Sequence, residues 1–350
     1  LVGVPTAWLL LNWGYPVCLI DPAGAGEQAA EAGTRAALGL LMAQVYRRSS
    51  GRGWRLRQRS LQLWQQWSDQ LAQQGSALPF RPGLLQLASE PQELEQQQRL
   101  VQERSAKGFP LRLLSQEELV QLRPQVPEGA LGGLLSPLDG QLDPIASRQL
   151  LLQDALSRGL ELVSDRAEAI GASSGADRWQ VQLASGPRLQ TPWLLVCAGL
   201  ASAALLEPLG HQRPLAPVLG QALELQLPAG CDAELWPGSV LWQGINLVPR
   251  PGRRLWLGAT LEPDLVAGAC GDPAALEALR QLQGHAPDWL RAATPLRQWQ
   301  GLRARPVGRP APLLEALEPG LLLLSGHYRN GVLLAPASAE WAADQIAAGP

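Results

Sequence analysis

The residues whose spacing could do chemistry begin at the first positions of the chain. Gly3 precedes a stretch of helical character, Gly14 ends it, and Asp21 closes the apolar run Val17 to Ile20. In a dinucleotide-binding βαβ unit, the glycines of G-x-G-x-x-G permit a tight turn, let a pyrophosphate approach the backbone and seat the helix on the strand. An acid ending the second strand then takes the ribose hydroxyls. Gly3 fits the third glycine and Asp21 fits the acid. A packing glycine and a turn-capping aspartate remain the plainer alternative on these residues alone. No Ser/His/Asp triad or carboxylate pair is evident, and His211, His285 and His327 are isolated. Cys18, Cys197, Cys231 and Cys270 lie far apart with no C-x-x-C pair, so neither a disulfide framework nor a metal site is expected.

These residues need elements to hold them. A helix from about Pro5 to Trp13 feeding a buried strand Val17 to Ile20 is half of a βαβ unit, with Cys18 a small buried hydrophobe. Cys197 reads the same way inside Trp193 to Gly199. Apolar residues Leu61, Trp64, Trp67 and Leu71 recur at helical spacing between Gln58 and Gln74. The basic run Tyr46 to Arg59 reads as a solvated rim or a loop beside the cofactor. Residues 79–133 are richer in Gln, Glu and Pro. The α/β texture returns at Asp139 to Val163 and again at Leu321 to Ile346. Between Pro217 and Arg297, segments such as Ala222 to Leu227, Ile245 to Pro249 and Arg254 to Ala259 read as antiparallel strands.

Three α/β stretches with β-rich inserts predict an α/β protein, α+β overall, in which a Rossmann-like domain (1–78, 139–212 and 298–350) interleaves with an antiparallel-sheet domain (79–138 and 213–297). At 350 residues, 46% hydrophobic and 17% charged, the chain is globular, and a net charge of -2 draws it to neither nucleic acid nor anionic lipid. The apolar opening is broken by Gly3, Pro5, Asn12, Gly14 and Pro16, so no membrane span is expected. Residue 1 is Leu and the sole Met is Met42, so the first strand and the two leading glycines are expected upstream of residue 1.

The segment Gly326-His327-Tyr328-Arg329-Asn330-Gly331-Val332-Leu333-Leu334-Ala335-Pro336, preceded by Gly301-Leu302-Arg303, resembles the C-terminal signature of the FAD-dependent amino-acid oxidases related to D-amino acid oxidase. Within them it looks closest to the glycine oxidases of the thiamine pathway. Thr34 to Leu41, Asp139 to Pro144, Val196 to Gly199, Pro217 to Gln221, Val248 to Arg250 and Leu257 to Thr260 follow in the family's order.

The resemblance implies noncovalent FAD, hydride transfer from the carbon beside an amine to flavin N5, and an imine that hydrolyses to an oxo acid. Oxygen, giving peroxide, or another acceptor would reoxidise the flavin. No side chain is then needed as a catalytic acid or base, His327 included. It assigns Gly3, Asp21, Thr34, Arg35, Ala36, Ala37, Gly39, Ala167, Ala198, Gly199 and the run Gly326, His327, Tyr328, Arg329, Asn330, Gly331, Val332 and Leu333 to the cofactor. Arg303, Asn246, Arg329 and Leu40 go to the substrate, a small amino acid or amine. Arg303 would grip the carboxylate through its planar fork, and the helix beginning near Asn330-Gly331 would stabilise negative charge on the reduced flavin. Asn246 is a departure, since these oxidases tend to carry Tyr-Ile where this chain has Asn246-Leu247; an amide reaches less far and leaves room for a larger amine. A cytoplasmic enzyme is expected, with a homo-oligomer left open. A flavin-binding protein without turnover and a dehydrogenase using another electron acceptor are the alternatives.

Overall fold

The computed structural model describes residues 1–24, 26, 32–173, 178–264 and 268–349. The expected loop Pro22 to Gly33 therefore lies partly outside the described residues. The chain runs α1 (Gly3–Asn12), β1 (Cys18–Ile20), β2 (Leu40–Leu41), α2 (Gly51–Gln73), β3 (Phe80–Ala88), α3 (Pro91–Ser105), β4 (Arg112–Leu114), α4 (Gln116–Gln121) and β5 (Gly132–Leu142). It continues through α5 (Pro144–Ser157), β6 (Glu161–Val163), β7 (Ala167–Ala172), β8 (Trp179–Leu183), β9 (Arg188–Thr191), β10 (Leu194–Val196), α6 (Ser202–Leu206) and β11 (Leu215–Gln226). Then come β12 (Ser239–Trp242), β13 (Ile245–Arg250), β14 (Arg254–Gly258), β15 (Glu262–Pro263), α7 (Pro273–Arg280), α8 (Asp288–Arg291), β16 (Thr294–Pro306), β17 (Leu313–Glu318), β18 (Leu321–Ser325) and α9 (Gly331–Ala347).

The fold is mixed α/β. Parallel pairs β1·β6 and β10·β18 form the Rossmann-like part, beside the antiparallel meander β7·β8·β9. Helices α1, α2, α5 and α9 pack together around Trp8, Trp64, Trp67 and Leu71, with Trp67 4.8 Å from Trp8 and 5.5 Å from Trp64 between ring centroids. The helical spacing read in the sequence is thus the buried stripe of α2. A 10-stranded sheet carries a second core, including Leu85, Trp236, Trp242, Leu257 and Trp289. It is not wholly antiparallel. β12 runs parallel to β3, Ser239 opposite Leu84, and since the two strands come from separate stretches of chain, no hairpin forces them to oppose. The boundaries expected at 138/139 and 297/298 fall inside β5 and β16, which run unbroken through them.

Two further expectations are corrected. Cys18 is exposed rather than buried, because β1 pairs only with β6 among the described residues, and Cys197 is half-buried just past β10. In the basic run 46–59, Arg47, Arg48, Arg52, Arg55 and Arg59 are exposed, as a solvated rim requires, and Arg57 alone is half-buried. Arg57 donates to the Met42 carbonyl and Asn330 Oδ1 and stacks on Tyr46, and Arg52 donates to the Pro312 carbonyl. Fully buried Arg104 donates to the carbonyls of Gln44, Tyr46 and Arg48 and lies 3.8 Å over the Trp54 ring. Arg57 and Arg104 thus staple the segment 42–48, whose carbonyls no strand partner satisfies.

Candidate functional site

The residues assigned to the cofactor gather at the carboxyl ends of parallel strands and at the two helix starts beside them, where an open α/β sheet leaves its crevice. Asp21 follows β1, Ala198 and Gly199 follow β10, and Gly326 follows β18. Gly3 opens α1, where an added Cβ would stand 3.4 Å from the Cys197 Cβ and 3.7 Å from Leu19, so the helix start rests closely on the strands. No side chain caps α1, and the Thr34 hydroxyl lies 2.9 Å from the Leu1 nitrogen beside it. Asp21 is already engaged. Its carboxylate accepts from the Ala23 N–H at 2.9 Å and from Arg148 at 3.1 Å. Arg148 was not singled out in the sequence; it sits on α5, far along the chain, and only the fold brings it to Asp21. Half-buried Ala167, which opens β7, packs with Ile20 and Val163 against the core of Ile170, Val181 and Val196.

At the second helix start, Asn330 does not cap α9. Its Oδ1 accepts from Arg57 at 2.9 Å, so the first-turn N–H groups of α9 receive no side-chain acceptor. Tyr328 holds a φ of 54°, unusual without a glycine, in the short turn between β18 and α9. Arg329 is exposed, while Val332 and Leu333 belong to the helical core, and the Val332 carbonyl accepts from Trp64 at 2.9 Å. Only the backbone of those two residues is thus available to a ligand. His327 is buried and 2.8 Å from the Ser338 hydroxyl; burial above all lowers its pKa to about 3. It is neutral near neutral pH and unsuited to proton transfer there.

The loop from Thr34 to Gly39 runs between these two parts. Ala36 is buried, Ala37 packs on the helical core, and the Arg35 N–H bonds the Ala32 carbonyl. Gly39 is a glycine for a reason other than a ligand: at φ 83°, an added Cβ would lie 1.7 Å from the Leu142 carbonyl oxygen. Asp139, quoted in the sequence without a role, anchors the next stretch. It is fully buried and accepts from the N–H groups of Ala43, Gln44 and Val45 at 2.7 to 3.0 Å. Burial raises its pKa to about 6 against those hydrogen bonds.

The substrate candidates face the large sheet. Arg303 of β16 lies across Gly220 of β11, where an added Cβ would be 2.0 Å from its Nη2. It donates to the Thr260 carbonyl at 3.1 Å and more distantly to that of Leu219. Burial, followed by repulsion from Arg329, lowers its pKa to about 10. Tyr328 and the Glu262 carboxylate act in the opposite sense, and the hydrogen bonds of Arg303 go to carbonyl oxygens. Asn246 of β13 is half-buried and spends its amide on the Gly258 carbonyl at 3.1 Å. Leu38, Leu40, Ala222, Val248, Trp256, Ala259 and Trp299 form an apolar patch on the same face, so Leu40 is brought to the sheet that carries Arg303. Trp256 and Trp299, with ring centroids 5.4 Å apart, were missed in the sequence, since they lie 43 positions apart and meet only by register across β11.

Uncapped helix starts at strand ends, small residues beneath them and a buried arginine on the facing sheet suit a flavin-binding oxidoreductase. The pattern of the FAD dependent oxidoreductase family, DAO, matches residues 1–345, and the chain belongs to that family. The residues present fit FAD: Gly199 has nothing within 4 Å of where a Cβ would be, and both helix starts lack side-chain acceptors. Glycine oxidase of Pseudomonas aeruginosa is 33% identical over 203 residues, 58% of this chain and 54% of that protein. The bifunctional protein ThiO/ThiG of a Nostoc species is 29% identical over 327 residues, 90% of this chain and 47% of the other. The matched stretch thus spans about half the length of these curated relatives. Glycine oxidase from Bacillus cereus has the same fold, with a TM-score of 0.86 at 21% identity over 99% of this chain and 92% of that one. Iminodiacetate oxidase from Chelativorans gives 0.85 at 23% identity, covering 100% and 94%. No helix among the described residues is long and apolar enough to cross a membrane, and no cluster of metal-ligating side chains occurs among them.

Proposed function

We propose that the chain oxidises the C–N bond of a small amino acid or amine. The observation that carries this reading is Arg303: a guanidinium desolvated beside a second cation, hydrogen-bonded only to carbonyl oxygens, has charge left for a carboxylate. Bound FAD supplies the two-electron acceptor for the hydride from the carbon beside the amine. The chain's own residues do the rest. Arg303 and Arg329 fix the carboxylate end, and the apolar patch of Leu38, Leu40, Trp256 and Trp299 keeps water from the reacting carbon. The uncapped start of α9 offers N–H groups and the positive end of a helix to the charge that builds up on reduction. Water then hydrolyses the released imine to an oxo acid, with ammonia leaving where the substrate is a primary amine and a primary amine leaving where it is a secondary one.

Asp21 takes the ribose in this reading, sharing Arg148, with Gly3, Thr34, Ala167 and Gly199 along the rest of the cofactor. Residues 1–78, 139–212 and 298–350 form the cofactor unit and 79–138 with 213–297 the substrate unit, apart from the strands that cross between them. A cytoplasmic enzyme, reoxidised by oxygen and acting in the thiamine pathway as the family resemblance implies, completes the reading. Mixing the FAD-loaded protein with a panel of small amines without oxygen tests it. Bleaching of the flavin band by at least one amino acid is expected; a flavin-binding protein without turnover would show none. Admitting oxygen then separates an oxidase, which recolours and releases peroxide, from a dehydrogenase, which stays bleached.

A further inference from the structure

One face of the large sheet carries more charge chemistry than carboxylate capture by Arg303 requires. In an antiparallel ladder, alternate residues of a strand and the residues directly opposite them share a face. Arg303, Gly301, Trp299 and Arg297 of β16 thus share a face with Gly220, Ala222 and Glu224 of β11. The same face continues through Gly258, Trp256 and Arg254 of β14 to Asn246, Val248 and Arg250 of β13. At the end away from Arg303 lies a cleft of 480 Å³ lined by Asp143, Glu224, Arg250, Arg254, Trp256 and Arg297. Its volume falls in the range of small-molecule sites, about 300–1,000 Å³.

The ion pairs in this cleft do not balance. Arg250 pairs with Asp143, whose other oxygen caps α5, while Arg254 and Arg297 share Glu224 at 3.3 and 3.4 Å. Three guanidiniums face two carboxylates, leaving one positive charge. Arg250 is also stacked 4.0 Å from the Trp256 ring and Arg297 4.7 Å from the Trp299 ring, so two of the three are held in place. A second observation is independent of charge. Trp256 is 8% exposed and its indole N–H has no acceptor, nor does that of Trp299. A buried donor left unpaired is costly, and an acceptor that reached it would recover that cost.

We propose that this cleft binds a carboxylate at the end of a short aliphatic chain. There are two sources of that chemistry. Gly220, under the Arg303 guanidinium, and Glu224 are four residues apart, roughly 13 Å along the strand. An extended amino acid held by Arg303 could therefore lay a distal carboxylate here if Leu38 and the tryptophan pair yield between them. The alternative source is a free dicarboxylate. The first source rests on the proposed function; the second does not.

Calorimetry of the FAD-loaded chain with glutarate at low salt decides the site without any turnover. Saturable glutarate binding is expected, with none for the uncharged glutaramide. Affinity falls at least tenfold in Arg297→Met and in Arg254→Met, and Arg297→Lys recovers part of it. The absence of saturable binding, or wild-type affinity in both methionine variants, overturns the site. So does binding lost in Arg303→Leu yet intact in Arg297→Met. Kinetics with α-aminoadipate and norleucine then name the source. If Arg297→Met lowers kcat/KM about tenfold for aminoadipate only, the carboxylate belongs to the substrate; if the ratio is unchanged while glutarate binding still depends on Arg297, it belongs to a free dicarboxylate. Should no amine bleach the flavin, the proposed function fails and the calorimetry still stands or falls on its own.

Discussion

In the proposed reading, the two halves of the site recognise charge by opposite means. On the cofactor side, at the ends of β1, β10 and β18, recognition rests on backbone: uncapped helix starts, Gly3 and Gly199, and core residues such as Val332 that lend only their N–H groups. On the substrate side, across β13, β14, β11 and β16, it rests on long side chains laid along a sheet face, with Arg303 over Gly220 and Arg250 and Arg297 over tryptophans. Backbone recognition is cheap in ordering entropy but depends on small residues staying small. Side-chain recognition orders whole arginines, which stacking partly achieves before a ligand arrives.

The comparison is broken most directly at Arg303. In Arg303→Leu, kcat/KM for carboxylate-bearing amines is expected to fall about a thousandfold, ~4 kcal/mol at 1.36 kcal/mol per tenfold, with most of the change in KM. The flavin absorption spectrum should be unaltered, since the residue belongs to the other half. Unchanged kinetics, measured over the amine panel, would remove the arginine from the site.

Glycines sharpen the cofactor half, because they are not all there for the cofactor. Gly39→Ala forces a left-handed φ of 83° and places a methyl 1.7 Å from the Leu142 carbonyl oxygen. Backbone cannot yield as a side-chain tip can, so a loss of more than ~3 kcal/mol is expected in denaturant unfolding. Near-normal stability would show that the 38–42 segment sits elsewhere.

How much of this was legible differs between the halves for the same reason. Gly3 and Asp21 stand at the ends of a helix and a strand, so linear spacing records them, while Gly199 and the turn at Asn330-Gly331 are legible through the family resemblance. The buried stripe of α2 was legible through its period of Leu61, Trp64, Trp67 and Leu71. The substrate face was legible only through Arg303 in its Gly-Leu-Arg context. Trp256 and Trp299 meet through the register of β14 and β16 on β11, and register leaves no local mark in a sequence. Charge marks exposure along most of the basic run, where Arg47, Arg48, Arg52, Arg55 and Arg59 are exposed; Arg57 is the exception, drawn inward by the Met42 carbonyl. Cys18 misled because an apolar run was read as a strand covered on both faces.

Between the halves, Asp139 ties the segment 43–45 by three backbone N–H groups. Its folded pKa of about 6 lies above the ~3.9 of an unfolded aspartate, so the native state holds the proton more tightly. This group's stabilisation is then fully present below about pH 4 and is lost as pH rises through about 6, a change of roughly 3 kcal/mol. Asp139→Asn cannot titrate. Urea unfolding between pH 4 and 7 should show the wild type losing that increment relative to the variant, and parallel pH profiles would place the titration elsewhere.

The smallest expected effect on stability separates packing from cofactor binding most cleanly. Gly199 has a φ of 59° with nothing within 4 Å of an added Cβ. Gly199→Ala should therefore cost only the left-handed backbone penalty, about 1 kcal/mol in unfolding of the flavin-free chain. If that space belongs to the cofactor, the same methyl lowers FAD affinity at least tenfold, measured by flavin fluorescence on titration. The pair Gly39→Ala and Gly199→Ala thus divides the glycines of one half by what each is close to, backbone or ligand. Equal FAD affinity in Gly199→Ala and wild type would move the cofactor away from the end of β10, and with it the backbone side of the comparison.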